Sequence, residues 1–144
     1  MRRLLSVLLL AAGAAAAQPP PLPTVQLGAG MHLMRAEVAD RDASRTMGLM
    51  HRTALAPNAG MLFVFEEAAV HCMWMKNTPL PLSVAFIDAG GAIVNIADMQ
   101  PHTETSHCAA RPARFALEMA QGWFAERGIR AGTRLRGLDK LEPR

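Results

Sequence analysis

Met61-Leu62-Phe63-Val64-Phe65 is the most restrictive stretch of the sequence, an unbroken apolar run of strand length. Side chains alternate between the two faces of a strand, so such a run suits one buried on both faces. Short extended segments surround it. Residues 25–27 and 31–39 flank Gly28-Ala29-Gly30, and residues 84–87 and 93–96 flank Asp88-Ala89-Gly90-Gly91, the stronger hairpin signal. Phe115, Leu117 and Met119 alternate with Arg114, Ala116 and Glu118, as in a strand with one face in solvent. Residues 133–138 could supply a last strand. Many short strands without long helices between them predict a mainly β, single compact domain of sandwich or barrel type. One short helix is expected near residues 41–50, capped by Asp40 or Asp42. A further turn of helix is expected over residues 121–127, closed by Gly128.

The first residues belong to a different regime. Arg2 and Arg3 precede an apolar run that ends in Ala15-Ala16-Ala17, the pattern of a signal peptide over residues 1–17. The run is too short to span a bilayer, for which about 20 apolar residues are needed. Gln18-Pro19-Pro20-Pro21-Leu22-Pro23 reads as an extended, Pro-rich leader over residues 18–24, which leaves residues 25–144 as one β-rich domain. These features predict an exported protein, periplasmic or secreted, with no stable membrane insertion after cleavage. The sequence has 144 residues, 51% of them hydrophobic, enough for one core and unlike a disordered segment. Its formal charge of +3 falls to +1 when Arg2 and Arg3 leave with the signal, which removes the electrostatic footprint of a nucleic-acid binder. Nucleic acid is therefore not an expected partner.

Three motifs occur in order: Gly48-Leu49-Met50-His51-Arg52, Gly60-Met61-Leu62-Phe63-Val64-Phe65 and Trp74-Met75-Lys76-Asn77-Thr78. Pro81-Leu82, Phe86-Ile87-Asp88, Leu117-Glu118 and Gly122 follow. As an ordered set they resemble the uncharacterised family numbered 192 among the domains of unknown function. The resemblance runs from about Val38 to Leu138. It implies a compact, mainly β fold with a small helix, often exported, with no established activity. Two positions depart from the family pattern. Ser83 stands where an aspartate usually follows Pro-Leu, and Arg41-Asp42-Ala43-Ser44 replaces an acidic helix start before Arg45.

The Trp74–Thr78 pentad is the richest in chemistry. In an extended conformation Trp74, Lys76 and Thr78 would share one face, an apolar plate with two polar handles, while Met75 and Asn77 face away. Asn77 and Thr78, before Pro79, equally suit turn chemistry. Arg45 and Arg52 are about two helical turns apart and could share a rim that holds a carboxylate or phosphate. Glu118, on the polar face of its strand, could complete a basic-acidic site with Lys76 or Arg45. The leading expectation is a non-catalytic domain that binds a small ligand or partner protein through Arg45, Arg52, Trp74, Lys76, Asn77, Thr78 and Glu118. No cofactor is implied. An enzyme with an acid/base pair at Lys76 and Glu118 is the first alternative.

His71-Cys72 and His107-Cys108 are identical dipeptides, and a copper or zinc site built from both cysteines and the histidines is the second alternative. Neighbouring residues on a strand point to opposite faces, which opposes joint ligation by His71 and Cys72. A Cys72–Cys108 disulfide asks less of the backbone and suits an oxidising compartment. Its loop would stabilise the fold by about 4 kcal/mol on the chain-entropy account. The ten methionines are scattered among apolar runs, where the flexible thioether mostly fills core gaps.

Overall fold

The computed structural model describes residues 20–141, so the expected signal peptide lies outside the described residues. Eight strands, one helix and one 3₁₀ turn follow in order: β1 (Thr24–Ala29), β2 (His32–Ala39), α1 (Asp42–Met47), β3 (Ala59–Ala69), β4 (Cys72–Met73), β5 (Leu82–Ile87), β6 (Ile93–Met99), β7 (His107–Cys108), β8 (Ala113–Ala120) and the turn Ala125–Arg127. Six strands form one sheet in the order β1-β2-β3-β8-β5-β6, and β4 pairs with β7 in a small second sheet. The fold is mainly β, as expected from the sequence.

The two anticipated hairpins are present. β1 and β2 pair antiparallel, as do β5 and β6, where Asp88 Oδ1 accepts from the N–H groups of Gly90 and Ala92 at 3.0 Å each. β2 and β3 pair parallel, and α1 supplies the crossover that parallel neighbours need. β8 lies between β3 and β5, antiparallel to both. Residues 133–138 form two isolated bridges, Arg136 with Gly28 beside β1 and Ala92 with Arg134 beside β6. Because β1 and β6 are the outermost strands, these bridges tie both edges together and curl the sheet toward a barrel. That arrangement leaves fewer exposed N–H and C=O groups at the edges.

Apolar side chains divide into two clusters, one on each face of the sheet. The inner cluster includes Leu27, Met34, Leu62, Val64, Ile87 and Leu117, with Trp123 and Phe124 packed into it. The outer cluster includes Met61, Phe63, Val84, Phe86, Leu49 and Met75. β3 alternates between them residue by residue, Met61 and Phe63 outward, Leu62 and Val64 inward. The double burial read from its sequence is therefore met by a cover on each face.

The outer cover is built from α1, the turn after it and the β4–β7 pair. Cys72 stands opposite Cys108 and is disulfide-bonded to it, with Cα atoms 4.0 Å apart. The connected loops are laced by backbone bonds from Met75 N–H to the Thr103 carbonyl (2.9 Å) and from His102 N–H to the Thr78 carbonyl (3.1 Å). Met75, wholly buried, plugs this lid into the outer cluster.

Three expectations are corrected. β8 is buried on both faces, with Ala116 and Glu118 under the outer cover rather than in solvent. The helix ends at Met47 instead of continuing to about Met50, because Gly48 adopts a φ of 47° and donates to the Ser44 carbonyl (2.9 Å). The N-cap position is Arg41, whose N–H donates to Ser44 Oγ (3.1 Å), in place of Asp40 or Asp42. The Pro-rich segment adds contacts of its own: the Pro23 carbonyl accepts from Val38 N–H at 2.8 Å, and Leu22 packs on the outer cluster.

β8 leaves no room for a side chain at Gly60 of β3, where a Cβ would collide with the Glu118 carbonyl oxygen and with Met119 Sδ. Backbone yields little, so Gly60→Ala is expected to lower stability by about 1–3 kcal/mol, the range of core overpacking. Denaturant unfolding checks this through a lower midpoint at unchanged slope.

Candidate functional site

The outer cover does not close completely over the sheet. A cleft of about 380 Å³ opens between α1 with its following turn, β3, β8 and the lid around β4. Arg45, Trp74, Thr78 and Glu118 all line it, together with Cys72 of the disulfide. Four of the residues singled out from sequence are therefore brought to one concavity from three segments of the chain.

Glu118 comes from the middle of β8, paired across to Met61 on β3 and Val84 on β5, both fully buried. It is itself only 4% exposed. Burial pushes its carboxyl from the ordinary 4.5 up to about 8. No hydrogen bond or ion pair joins it to another side chain among the described residues, so desolvation acts without compensation. A buried carboxyl left in this state is neutral near pH 7 and presents one O–H donor and one carbonyl acceptor to the cleft.

Arg45 lies on the wall, committed to neighbours. Its guanidinium donates to the Val64 carbonyl (2.8 Å) and to Asp42 Oδ1 (2.6 Å), with Glu66 Oε1 at 3.7 Å. It fastens α1 to β3 and sets the width of the opening. Trp74 stands at the mouth, 47% exposed, with the Lys76 ammonium 5.3 Å from its ring centroid. An exposed tryptophan beside a cleft is an unusual disposition of a large apolar side chain.

Residues 74–78 turn rather than run extended, which separates Thr78 from Lys76. Thr78 is buried and donates from Oγ1 to the Lys76 carbonyl (3.1 Å). Lys76 is outside the cleft lining and forms an ion pair with Glu104 at 3.7 Å, so no contact joins it to Glu118. Asn77 has a φ of 54°, a left-handed conformation that asparagine tolerates, and its carbonyl accepts from His51 N–H at 2.8 Å. It shapes the turn. Arg52 does not share a rim with Arg45, because α1 ends before it. It pairs instead with both carboxylate oxygens of Glu37 and lines a separate groove with Pro20, Pro21 and Pro23.

The histidine-cysteine dipeptides do not assemble a metal centre. The cysteines are bonded to each other, which removes both thiolates. His71 stacks on Phe65 with ring centroids 3.7 Å apart, and its Nε2 lies 3.0 Å from the Glu67 carbonyl oxygen. Ser83, at the position where the resemblance leads one to expect aspartate, donates to Asp98 Oδ1 (2.5 Å) and accepts from Gly122 N–H (3.0 Å). The carboxylate is supplied there from the facing strand.

Sequence reasoning missed the apolar walls. Met47, Met50 and Met73 line the cleft with Phe63 and Phe65. Their scatter along the chain reads as core filling, and only the folding of residues 47–50 against β4 brings the thioethers together. Flexible thioether surfaces of this kind adapt readily to apolar ligands.

A family model described as DUF192, "Uncharacterized ACR", matches residues 24–137. Among solved structures, a protein described as a candidate transcription regulator from Sinorhizobium meliloti 1021 is similar at 35% identity and a TM-score of 0.78. That match covers 83% of this chain and 98% of that one. A protein of unknown function from Novosphingobium aromaticivorans DSM 12444 is similar at 33% identity and a TM-score of 0.77, covering 91% and 99%. No curated protein matches the chain.

The state of Glu118 has a consequence for stability. Its folded pKa of about 8 exceeds the ordinary 4.5, so the native state holds a proton that the unfolded chain releases between those values. Stability is full below about pH 4.5 with respect to this group and falls by about 1.4 kcal/mol per pH unit up to pH 8, then levels. Glu118→Gln is expected to abolish that slope. Denaturant titrations at pH 5, 7 and 9 on both proteins measure it.

Proposed function

The chain belongs to the DUF192 family, and from that membership and the geometry of its cleft we propose that it is an exported domain that binds a small ligand without transforming it. The observation that carries the reading is Glu118, a residue only 4% exposed whose carboxyl lines an open, mostly apolar cleft with no ion pair or hydrogen bond to another side chain among the described residues. A carboxyl that opens on a concavity and has no side-chain partner there leaves its hydrogen-bonding groups available to an outside molecule. Trp74 at the mouth and the methionine walls supply apolar contact. Thr78 offers a second polar atom.

Export is supported by the basic and apolar N-terminal pattern and by a disulfide between two exposed cysteines, a bond favoured outside the cytoplasm. No helix among the described residues is long and apolar enough to cross a membrane. The Sinorhizobium relative is described as a candidate transcription regulator. For this chain the formal charge of +3, two units of which belong to the expected signal, speaks against a nucleic-acid partner. The enzyme alternative has weaker support, since Lys76 is engaged with Glu104 and lies outside the cleft.

A screen of small amphipathic compounds against tryptophan fluorescence tests the binding reading, because Trp74 is exposed at the cleft while Trp123 is buried. Saturable binders are expected, weakened about fivefold or more by Trp74→Ala, the scale of an aromatic anchor. Binders indifferent to that substitution would contradict the reading. Export is checked by N-terminal sequencing of protein from the cell envelope, where a start at Gln18 is expected and a retained Met1 would count against it.

A further inference from the structure

We infer that the ligand of this cleft has an apolar body and a neutral head presenting one hydrogen-bond acceptor beside one donor, as a primary amide or a lactam does. The inference rests on the binding reading above and specifies what the floor of the cleft can recognise.

Glu118 is the polar feature at that floor, flanked by the buried side chains of Met61 and Val84. A carboxylic acid offers one O–H and one carbonyl oxygen side by side. An amide head matches both, acceptor to O–H and N–H to carbonyl, and leaves nothing unpaired on either partner. A neutral pair also avoids the desolvation cost of placing an ion at the sheet.

Charged heads fit less well. An anion would need an available guanidinium, and Arg45 is already held by the Val64 carbonyl, Asp42 and Glu66. An ammonium brings three donors to a single carboxylate and would form a buried ion pair, whose attraction roughly offsets its desolvation. Thr78 directs its hydroxyl proton to the Lys76 carbonyl. Lys76 at the lid is itself cationic and would repel an entering ammonium, although Glu104 reduces that effect.

Ionisation of Glu118 would convert its donor into a second acceptor and oppose the amide carbonyl. Of the charged and titratable groups on the elements that enclose the cleft, Arg45 lines it beside Glu118, while Asp42 on α1, Glu66 and Glu67 on β3, His71 stacked on Phe65, Lys76 and Glu104 in the lid and Arg114 on β8 lie outside its lining. β5, the other flanking strand, carries no titratable residue. Burial holds the Glu118 proton up to about pH 8, so recognition is expected to persist at neutral pH and fade above it.

The test uses two matched probes, phenylacetamide and phenethylamine, titrated into protein carrying ¹³C-methyl methionine, with Met47, Met50 and Met73 as reporters. Phenylacetamide is expected to shift these methyls and to bind about tenfold more weakly at pH 9 than at pH 7, following the protonated fraction of Glu118. Glu118→Gln keeps a donor and an acceptor but does not ionise, and is expected to bind the amide equally at both pH values. Phenethylamine binding more tightly than the amide, strengthening with pH and lost in Glu118→Gln, would overturn the amide class while leaving the binding site intact. Amide affinity in the unsubstituted protein that does not change with pH would overturn the role of Glu118 whether or not the variant folds. If neither probe moves the three methyls, both the ligand class and the site are wrong.

Discussion

Burial of the central strands on both faces is the constraint on which the structure depends. β3, β8 and β5 carry apolar side chains inward and outward, so one sheet face packed against a core does not suffice. The inner face is satisfied by curling the sheet, with residues 133–138 bridging its edges. The outer face needs separate material, and α1, the turn after it and the β4–β7 lid provide it. Short elements of this kind bury too little to hold themselves in place. The disulfide, the Arg45 bonds to β3 and the Met75 plug fasten them instead.

A cover assembled from several short pieces leaves a seam, and the cleft is that seam. Glu118 sits under it because β8 places every second side chain outward: Ala116, then Glu118. An alanine or methionine there would complete the outer core at no electrostatic cost. The carboxyl retained in that position destabilises the fold at neutral pH, because burial among the apolar neighbours of β3 and β5 removes it from water. A costly group facing an opening is the physical ground for the proposal that the cleft takes a ligand.

Much of this was legible from the chain, for identifiable reasons. The run Met61–Phe65 announced double burial, the Asp88–Gly91 turn announced its hairpin, and the paired His-Cys dipeptides yielded the correct bond. Other features were hidden because their cause is tertiary. Arg114, Ala116 and Glu118 look like a solvated face, yet the aliphatic neighbours of β3 and β5 and the lid above enclose the last two. Arg45 and Arg52 have helical spacing, but one glycine at position 48 ends the helix and sends them to different grooves. Lys76 and Asn77 are next to Trp74 in sequence and serve the turn and an ion pair rather than the cleft. The methionine walls carried no local signal, since they meet only after the lid folds back.

The protonation state of Glu118 joins the fold to the proposed function, and it can be measured directly. A ¹³C NMR titration of the side-chain carboxyl carbon of Glu118, assigned through Glu118→Gln, follows that one group. A midpoint at about 8 is expected. A midpoint near the ordinary 4.5 would mean that the carboxylate is solvated or paired, and would contradict both the cost assigned to it and the neutral head inferred for its ligand.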